Sequence, residues 1–285
     1  MRTTTNPPNL RQQLSTLVAI LAVAGATYAG TRGQPAEHSS PAAIETRATA
    51  GQPTASANAP VEEQAPSPEP EPSATPTPQP TGGPFGSQHL TGGRHVTLTF
   101  DDGPDPEHTP RILALLREHR VKAVFCVVGV QAQAHPDLIR AIAADGHTLC
   151  NHSWDHDFRL GSRSPAAIRA DLGRTNQAIR DAVPGVPIAY YRQPGGYWTK
   201  TVVTVARELG MTALHWTVDP QDWARPGAEA IARRVIDQTV PGAIVLLHDG
   251  GGDRRGTVSA LRAMLPVLSR RFELAALPPD AGTPH

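Results

Sequence analysis

Two adjacent carboxylates, Asp101 and Asp102, stand at the end of a short alternating run, His95-Val96-Thr97-Leu98-Thr99-Phe100. The run has strand periodicity and is rich in β-branched residues, and Gly103-Pro104 behind it turns the chain. Two anions side by side are costly to hold away from water unless something positive lies against them. The chain offers such partners in His152 and His156 of His152-Ser153-Trp154-Asp155-His156, in Arg192, and in His248. Two imidazoles and one carboxylate make a three-ligand set for a divalent cation that leaves a position open, the pattern of catalytic rather than structural sites. Asp102, His152 and His156 supply that set. A cation there neutralises one carboxylate and frees Asp101 to act as a base towards water, whose pKa such a cation lowers from 15.7 towards ~7. Arg192 is placed to hold Asp101 ionised and oriented. His248 is the candidate general acid, with Asp222 fixing its tautomer and favouring its protonated form. Hydrolysis of an acyl compound suits this set: water attacks, an oxyanion forms, and the leaving group takes a proton.

The elements that must position these groups alternate along the chain. Thr109-Pro110 starts a helix with Thr109 as its cap. Ala123–Val128 is an uninterrupted apolar run, as in a strand covered on both faces. A helix over about Pro136–Asp145 precedes a strand at Thr148–His152, and Ser164-Pro165 opens a longer helix. Further strands are expected at Ile188–Arg192, Thr212–Val218, Ala243–Leu247 and Phe272–Leu277. Helices are expected at about Lys200–Leu209, Ala228–Gln238 and Thr257–Arg271, with Pro266 either kinking the last or marking its start. Such alternation gives an α/β domain with a parallel sheet. About seven strands suit an incomplete (β/α) barrel better than a doubly wound sheet, and no glycine-rich phosphate loop follows the first strand. Each polar group alone has a plain explanation: a turn, a surface histidine pair, a structural ion pair or a helix cap. Together they all fall at the C-terminal ends of strands, where parallel barrels keep their chemistry.

Five ordered segments resemble the motifs of the polysaccharide deacetylases, carbohydrate esterase family 4. They are Thr99-Phe100-Asp101-Asp102-Gly103, Asn151–His156, Arg192-Gln193-Pro194, Asp219–Trp223 and Leu246-Leu247-His248-Asp249. The resemblance implies a distorted, incomplete (β/α) barrel and metal-dependent removal of acetyl groups from sugars. By matching position it implies Asp101 as base, Asp102, His152 and His156 as metal ligands, Arg192 tuning the base, and His248 as acid tuned by Asp222. It further implies that Leu246 lines the pocket for the acetyl methyl and that Trp223 forms part of the wall. One position departs: an aromatic residue commonly follows the Arg-x-Pro, and Gly195-Gly196 stand here. The N–H of Gly195 keeps the oxyanion role available, while the missing wall falls to Tyr197 or Trp198.

The remainder of the chain sets the context. Two arginines and no acid precede an apolar run at Leu14–Ala26, followed by small residues, the outline of a signal peptide or signal anchor over residues 1–29. Residues 30–90 are rich in Pro, Ala, Ser, Thr, Gln and Glu and read as a disordered linker. Residues 91–285 then form the catalytic domain. Basic and acidic residues are equal at 26 each, so nothing points to nucleic acid or an anionic membrane surface. The expected partner is an acetylated polysaccharide outside the cell or at its surface, acted on by a monomer, with the membrane involved only through an uncleaved anchor. N-acetylglucosamine polymers of the peptidoglycan or chitin type come first. Acetylated xylan and, behind it, an inactive sugar-binding module are the alternatives. Zn²⁺ suits two imidazoles and a carboxylate, and Co²⁺ or Ni²⁺ accept the same ligands. Cys126 and Cys150 fall on strands expected to be neighbours, which allows a disulfide in an exported chain.

Overall fold

The computed structural model describes residues 81–279; the expected signal segment over residues 1–29 and most of the expected linker over 30–90 lie outside them. Thirteen elements alternate in the expected sense. They are β1 (Thr97–Asp101), α1 (Thr109–Glu118), β2 (Val124–Val127), α2 (Gly129–Ala134), α3 (Pro136–Ala144), β3 (Thr148–Asn151), α4 (Pro165–Ala182), β4 (Tyr190–Tyr191), α5 (Lys200–Glu208), β5 (Thr212–Ala213), α6 (Ala228–Gln238), β6 (Ile244–His248) and α7 (Arg255–Arg271). Six strands form one parallel sheet in the order β5-β4-β3-β2-β1-β6. The chain leaving β5 curls back to the opposite edge, where Val218 pairs with Val245 and the Leu246 N–H donates to the Val218 carbonyl at 2.9 Å. The sheet is thus a curled half-barrel.

Alternation along the strands separates two apolar layers. Phe100, Phe125, Val127 and Leu149 face the helices, with the Phe100 and Phe125 rings stacked at 5.1 Å. Val124, Cys126, Cys150, Tyr190 and Ile244 fill the inside of the curl. Cys126 and Cys150 stand opposite one another on β2 and β3 and are joined as a disulfide.

Three expectations are corrected. Phe272–Leu277 is not a seventh strand. It makes one bridge, Val96 with Leu274, and then crosses beneath the sheet, held by side-chain hydroxyls: Thr97 donates to the Ala275 carbonyl and Thr148 to the Leu277 carbonyl. Residues 81–90, read as the end of the linker, belong to the domain. Gln88 sits beside β5, donating to the Ala213 carbonyl at 2.8 Å, and Leu90 pairs with Ala243. Backbone pairing, invisible to a hydrophobic pattern, holds this segment. Thr109, expected to cap α1, is instead its first helical residue, and Asp105 Oδ1 accepts from the Glu107 and His108 N–H groups at 2.8 Å. The Thr109 hydroxyl is thereby free to donate to Asp249 Oδ2 at 2.5 Å.

Candidate active site

The C-terminal ends of β1, β3, β4 and β6, with the loops that follow them, surround a cleft of 680 Å³. Successive strand residues face opposite sides of a sheet, yet Asp101 and Asp102 both line this cleft. The backbone at Asp102 makes that turn, with φ at +73°. The loop after β3 coils tightly in the same way, with positive φ at Ser153 and His156, and brings His156 beside His152. Gly251 has φ +71°, and a Cβ there would sit 2.4 Å from Asp102 Oδ2, so the loop after β6 reaches this carboxylate only because it carries no side chain.

Asp102 Oδ1 lies 3.3 Å from His152 Nε2 and 3.0 Å from His156 Nε2, and one ligand atom from each residue falls within 4.8 Å of the others. A tetrahedral ion with bonds of 2.0–2.2 Å holds its ligands about 3.3–3.6 Å apart, which the first spacing matches and the second falls a few tenths of an ångström short of. Two further observations agree. Asp102 Oδ1 is a buried oxygen whose nearest polar neighbours are the two imidazole Nε2 atoms. His152 Nδ1 lies 2.8 Å from the Arg192 carbonyl, which makes Nδ1 the protonated nitrogen and leaves Nε2 with its lone pair towards Asp102. The local field is strongly negative. Burial opposes charge on Asp102, but its bonds to His152 and His156 outweigh this and hold its pKa far below the ordinary carboxylate range. Burial likewise works against an imidazolium at His152, and Asp101 and Asp102 overcome it and raise its pKa. A field that favours an imidazolium favours a divalent cation in its place.

Arg192, at the end of β4, is fully buried and gives four hydrogen bonds. It gives Nη1–H bonds to Asp101 Oδ1 at 2.8 Å and Thr99 Oγ1 at 2.7 Å, and bonds to the Leu214 and His215 carbonyls. The other oxygen of Asp101, Oδ2, faces His152 Nε2 at 3.7 Å. The second dyad lies at the end of β6. His248 Nδ1 lies 2.6 Å from Asp222 Oδ1, and Asp222 Oδ2 accepts from the His248 N–H and the Thr257 hydroxyl. Burial lowers the pKa of His248; the bond to Asp222 and its charge, with Asp102 and Asp101, push it up to about 9. The arrangement therefore holds a carboxylate suited to accepting a proton and an imidazolium suited to giving one on the walls of a single cleft.

The structure gathers the ten residues singled out from sequence. Asp101, Asp102, His152, His156, Gly195, Trp223, Leu246 and His248 line the cleft, and Arg192 and Asp222 lie buried directly behind it. The missing wall after the Arg-x-Pro is supplied from two sides. Gly195 has φ +61°, and a Cβ on it would lie 2.7 Å from Phe158 and 2.8 Å from Tyr197. Phe158 and Tyr197 occupy the space and line the cleft, whereas Trp198 is turned inward, donating from Nε1 to His215 Nδ1. Phe158 carried no signal beyond lying two residues after His156. Thr257 was likewise missed, as a threonine in the first turn of a helix that sequence alone does not tie to Asp222.

The polysaccharide deacetylase family profile matches residues 89–214. A chitooligosaccharide deacetylase from Bradyrhizobium sp. (strain ANU 289) is 42% identical over 201 residues, 66% of this chain and 91% of that protein. The chain belongs to the polysaccharide deacetylase family. A second family member, the peptidoglycan-N-acetylglucosamine deacetylase of Bacillus cereus, is 38% identical over 178 residues, 62% of this chain and 82% of its own. Among solved structures, a family 4 carbohydrate esterase from Streptomyces lividans in complex with acetate superposes with a TM-score of 0.60. It is 30% identical and covers 66% of this chain and 95% of its own. The family and the incomplete (β/α) barrel expected from the motifs are both found, the barrel as a curled sheet of six strands where about seven were expected.

Proposed function

We propose that this deacetylase removes N-acetyl groups from N-acetylglucosamine polymers, with Asp102, His152 and His156 holding a divalent cation and Asp101 and His248 moving the protons. The observation that carries the reading is the pairing in one cleft of an ion-sized Asp–His–His cluster with two separately braced proton carriers. When bound, the cation supplies a Lewis acid for the acyl oxygen and a lowered pKa for water. Asp101, oriented by the Arg192 Nη1–H on its Oδ1, takes a proton from the attacking water through its free oxygen. His248 then gives a proton to the departing amine, its Nδ1–H retained by Asp222. The Gly195 N–H serves the developing oxyanion, and Leu246 and Trp223 enclose the methyl group. Two neutral imidazoles and a carboxylate suit Zn²⁺ best, and Co²⁺ or Ni²⁺ accept the same ligands.

The named relatives support N-acetylglucosamine polymers of the chitooligosaccharide or peptidoglycan type as substrates. The N-terminal apolar run and the Pro-rich stretch after it support an exported enzyme acting on such a polymer outside the cell. Acetate release measured on N-acetylglucosamine oligomers, peptidoglycan and acetylated xylan tests the reading. We expect release from the N-acetyl substrates; release from acetylated xylan alone makes the chain an O-acetyl esterase and overturns it.

A further inference from the structure

The loop that follows β6 carries three consecutive glycines, Gly250, Gly251 and Gly252, the residue type with the most freedom to lose on folding. It is nevertheless closely fitted to the turn that bears the two carboxylates. The Asp249 and Gly250 N–H groups donate to the Asp101 carbonyl at 3.0 and 3.3 Å. A Cβ on Gly250 would lie 2.4 Å from the Asp102 carbonyl oxygen, and one on Gly251 would lie 2.4 Å from Asp102 Oδ2. The loop therefore packs on both the backbone and the side chain of Asp102. That residue has φ +73°, a strained conformation that persists only where its surroundings hold it.

What holds the loop is Arg254, which is 4% exposed. Its Nε–H donates to the Gly250 carbonyl at 2.6 Å, and an Nη2–H donates to the Gly251 carbonyl at 3.0 Å. A longer Nη1 contact of 3.4 Å reaches the carbonyl of Asp222, the partner of His248. Arg254 is itself anchored: its N–H donates to His108 Nε2 at 3.2 Å, and its carbonyl accepts the Val258 N–H in the first turn of α7 at 2.9 Å. All acceptors of the guanidinium are backbone carbonyls, and no carboxylate among the described residues forms an ion pair with it. A charge buried without a counterion is destabilising, so closing a loop alone gives no reason for an arginine here. The reason lies in its planar fork, which spans two adjacent carbonyls as a lysine cannot.

Resting on the reading above, in which Asp102, His152 and His156 hold a cation, we propose that Arg254 is a positioning residue for that site. By clasping the glycine loop it keeps the Asp102 carboxylate turned towards the two imidazoles. It touches neither substrate nor ion.

The test titrates Zn²⁺ by calorimetry into the chelated full chain and into Arg254→Met, Gly251→Ala and the double variant. Arg254→Met keeps the stem and removes the donors, and we expect it to weaken Zn²⁺ binding about tenfold, the low end of what outer residues of a metal site contribute. Gly251→Ala presses on Asp102 through the same loop and weakens binding similarly. Because both act through one loop, the double variant loses about what the larger single loses, whereas independent losses would multiply to about a hundredfold. A role confined to stability would shift the denaturation midpoint and leave the zinc affinity of the folded protein alone. Should Arg254→Met fail to fold, Arg254→Lys takes its place in the cycle. Unchanged affinity in the Arg254 variant, or losses that multiply, overturns the role and leaves the cation site standing. If the unaltered chain takes up no zinc, the cation reading fails instead. Hydrogen exchange of the Asp249 and Gly250 amides then decides the clasp alone: faster exchange in the Arg254 variant, relative to the amides of β2, upholds it, and equal exchange ends it.

Discussion

Replacing Asp101 with Asn keeps the side-chain shape and the acceptor for Arg192 but abolishes its use as a base. The expected loss in kcat for acetate release is about 10²–10⁴-fold, with the bound-metal content kept, because Asp101 is not among the three residues clustered for the ion. Equal turnover by Asp101→Asn would remove Asp101 from the proton path. His248 gives a pH signature. Burial favours its neutral form, and Asp222 reverses this and carries the pKa to about 9, above the ordinary 6.5. A donor must be protonated, so activity on the alkaline side falls as pH rises through about 9. A bound cation offsets what Asp101 and Asp102 add, but not what Asp222 adds. Asp222→Asn is therefore expected to move the alkaline limb of the kcat profile down towards 6.5, and an unmoved limb would take the proton-donor role from His248. The stability sign agrees: a histidine raised on folding stabilises fully below 6.5, and the contribution is lost as pH passes about 9. At this scale the sequence was highly legible, because Asp101, His152, Arg192 and His248 are types whose chemistry is recognisable wherever strands end. Phe158 and Thr257 were not, since an exposed phenylalanine and a helical threonine gain their meaning from neighbours distant in the chain.

Whole strands and turns deliver these groups, and their failures are expected to be structural. Phe100 lies in β1 directly before the carboxylate pair and is completely buried against Phe125. Phe100→Ala should cost about 3–5 kcal/mol of unfolding free energy, read from denaturant titration, and a loss under 1 kcal/mol would mean the layer is not packed as described. Gly195→Ala combines a left-handed backbone, costing about 1 kcal/mol, with contacts of 2.7–2.8 Å to two rings. We expect KM to rise more than kcat falls, since the cleft wall moves while the proton carriers stay. The element pattern explains which spans could be read. β1, β2 and β6 are buried at every position; the alternation of β1 and the apolar runs of β2 and β6 made their type legible. β4 and β5 shrink to two residues each, because the chain there bends into the loops that close the curl. The helix α2, Gly-Val-Gln-Ala-Gln-Ala, is too short and too polar to show a periodic face. α7 runs from Arg255 to Arg271 through Pro266, so the proline neither begins nor ends it.

At the scale of the molecule, equal numbers of acidic and basic residues leave no net field to draw a charged polymer. The proposed recognition of an uncharged sugar chain therefore falls to the cleft, whose lining includes Phe158 and Tyr197. Everything in the site then depends on whether residues from two separate loops close around one cation. The most direct measurement is metal content and acetate release followed together, through chelation, dialysis and stepwise return of Zn²⁺ to the full chain with N-acetylglucosamine tetramer as substrate. One ion per chain is predicted, with activity lost and regained in proportion to it, and with both abolished in His152→Ala and His156→Ala. Full activity in chelated protein, or one tightly held ion in the double variant, would contradict the account.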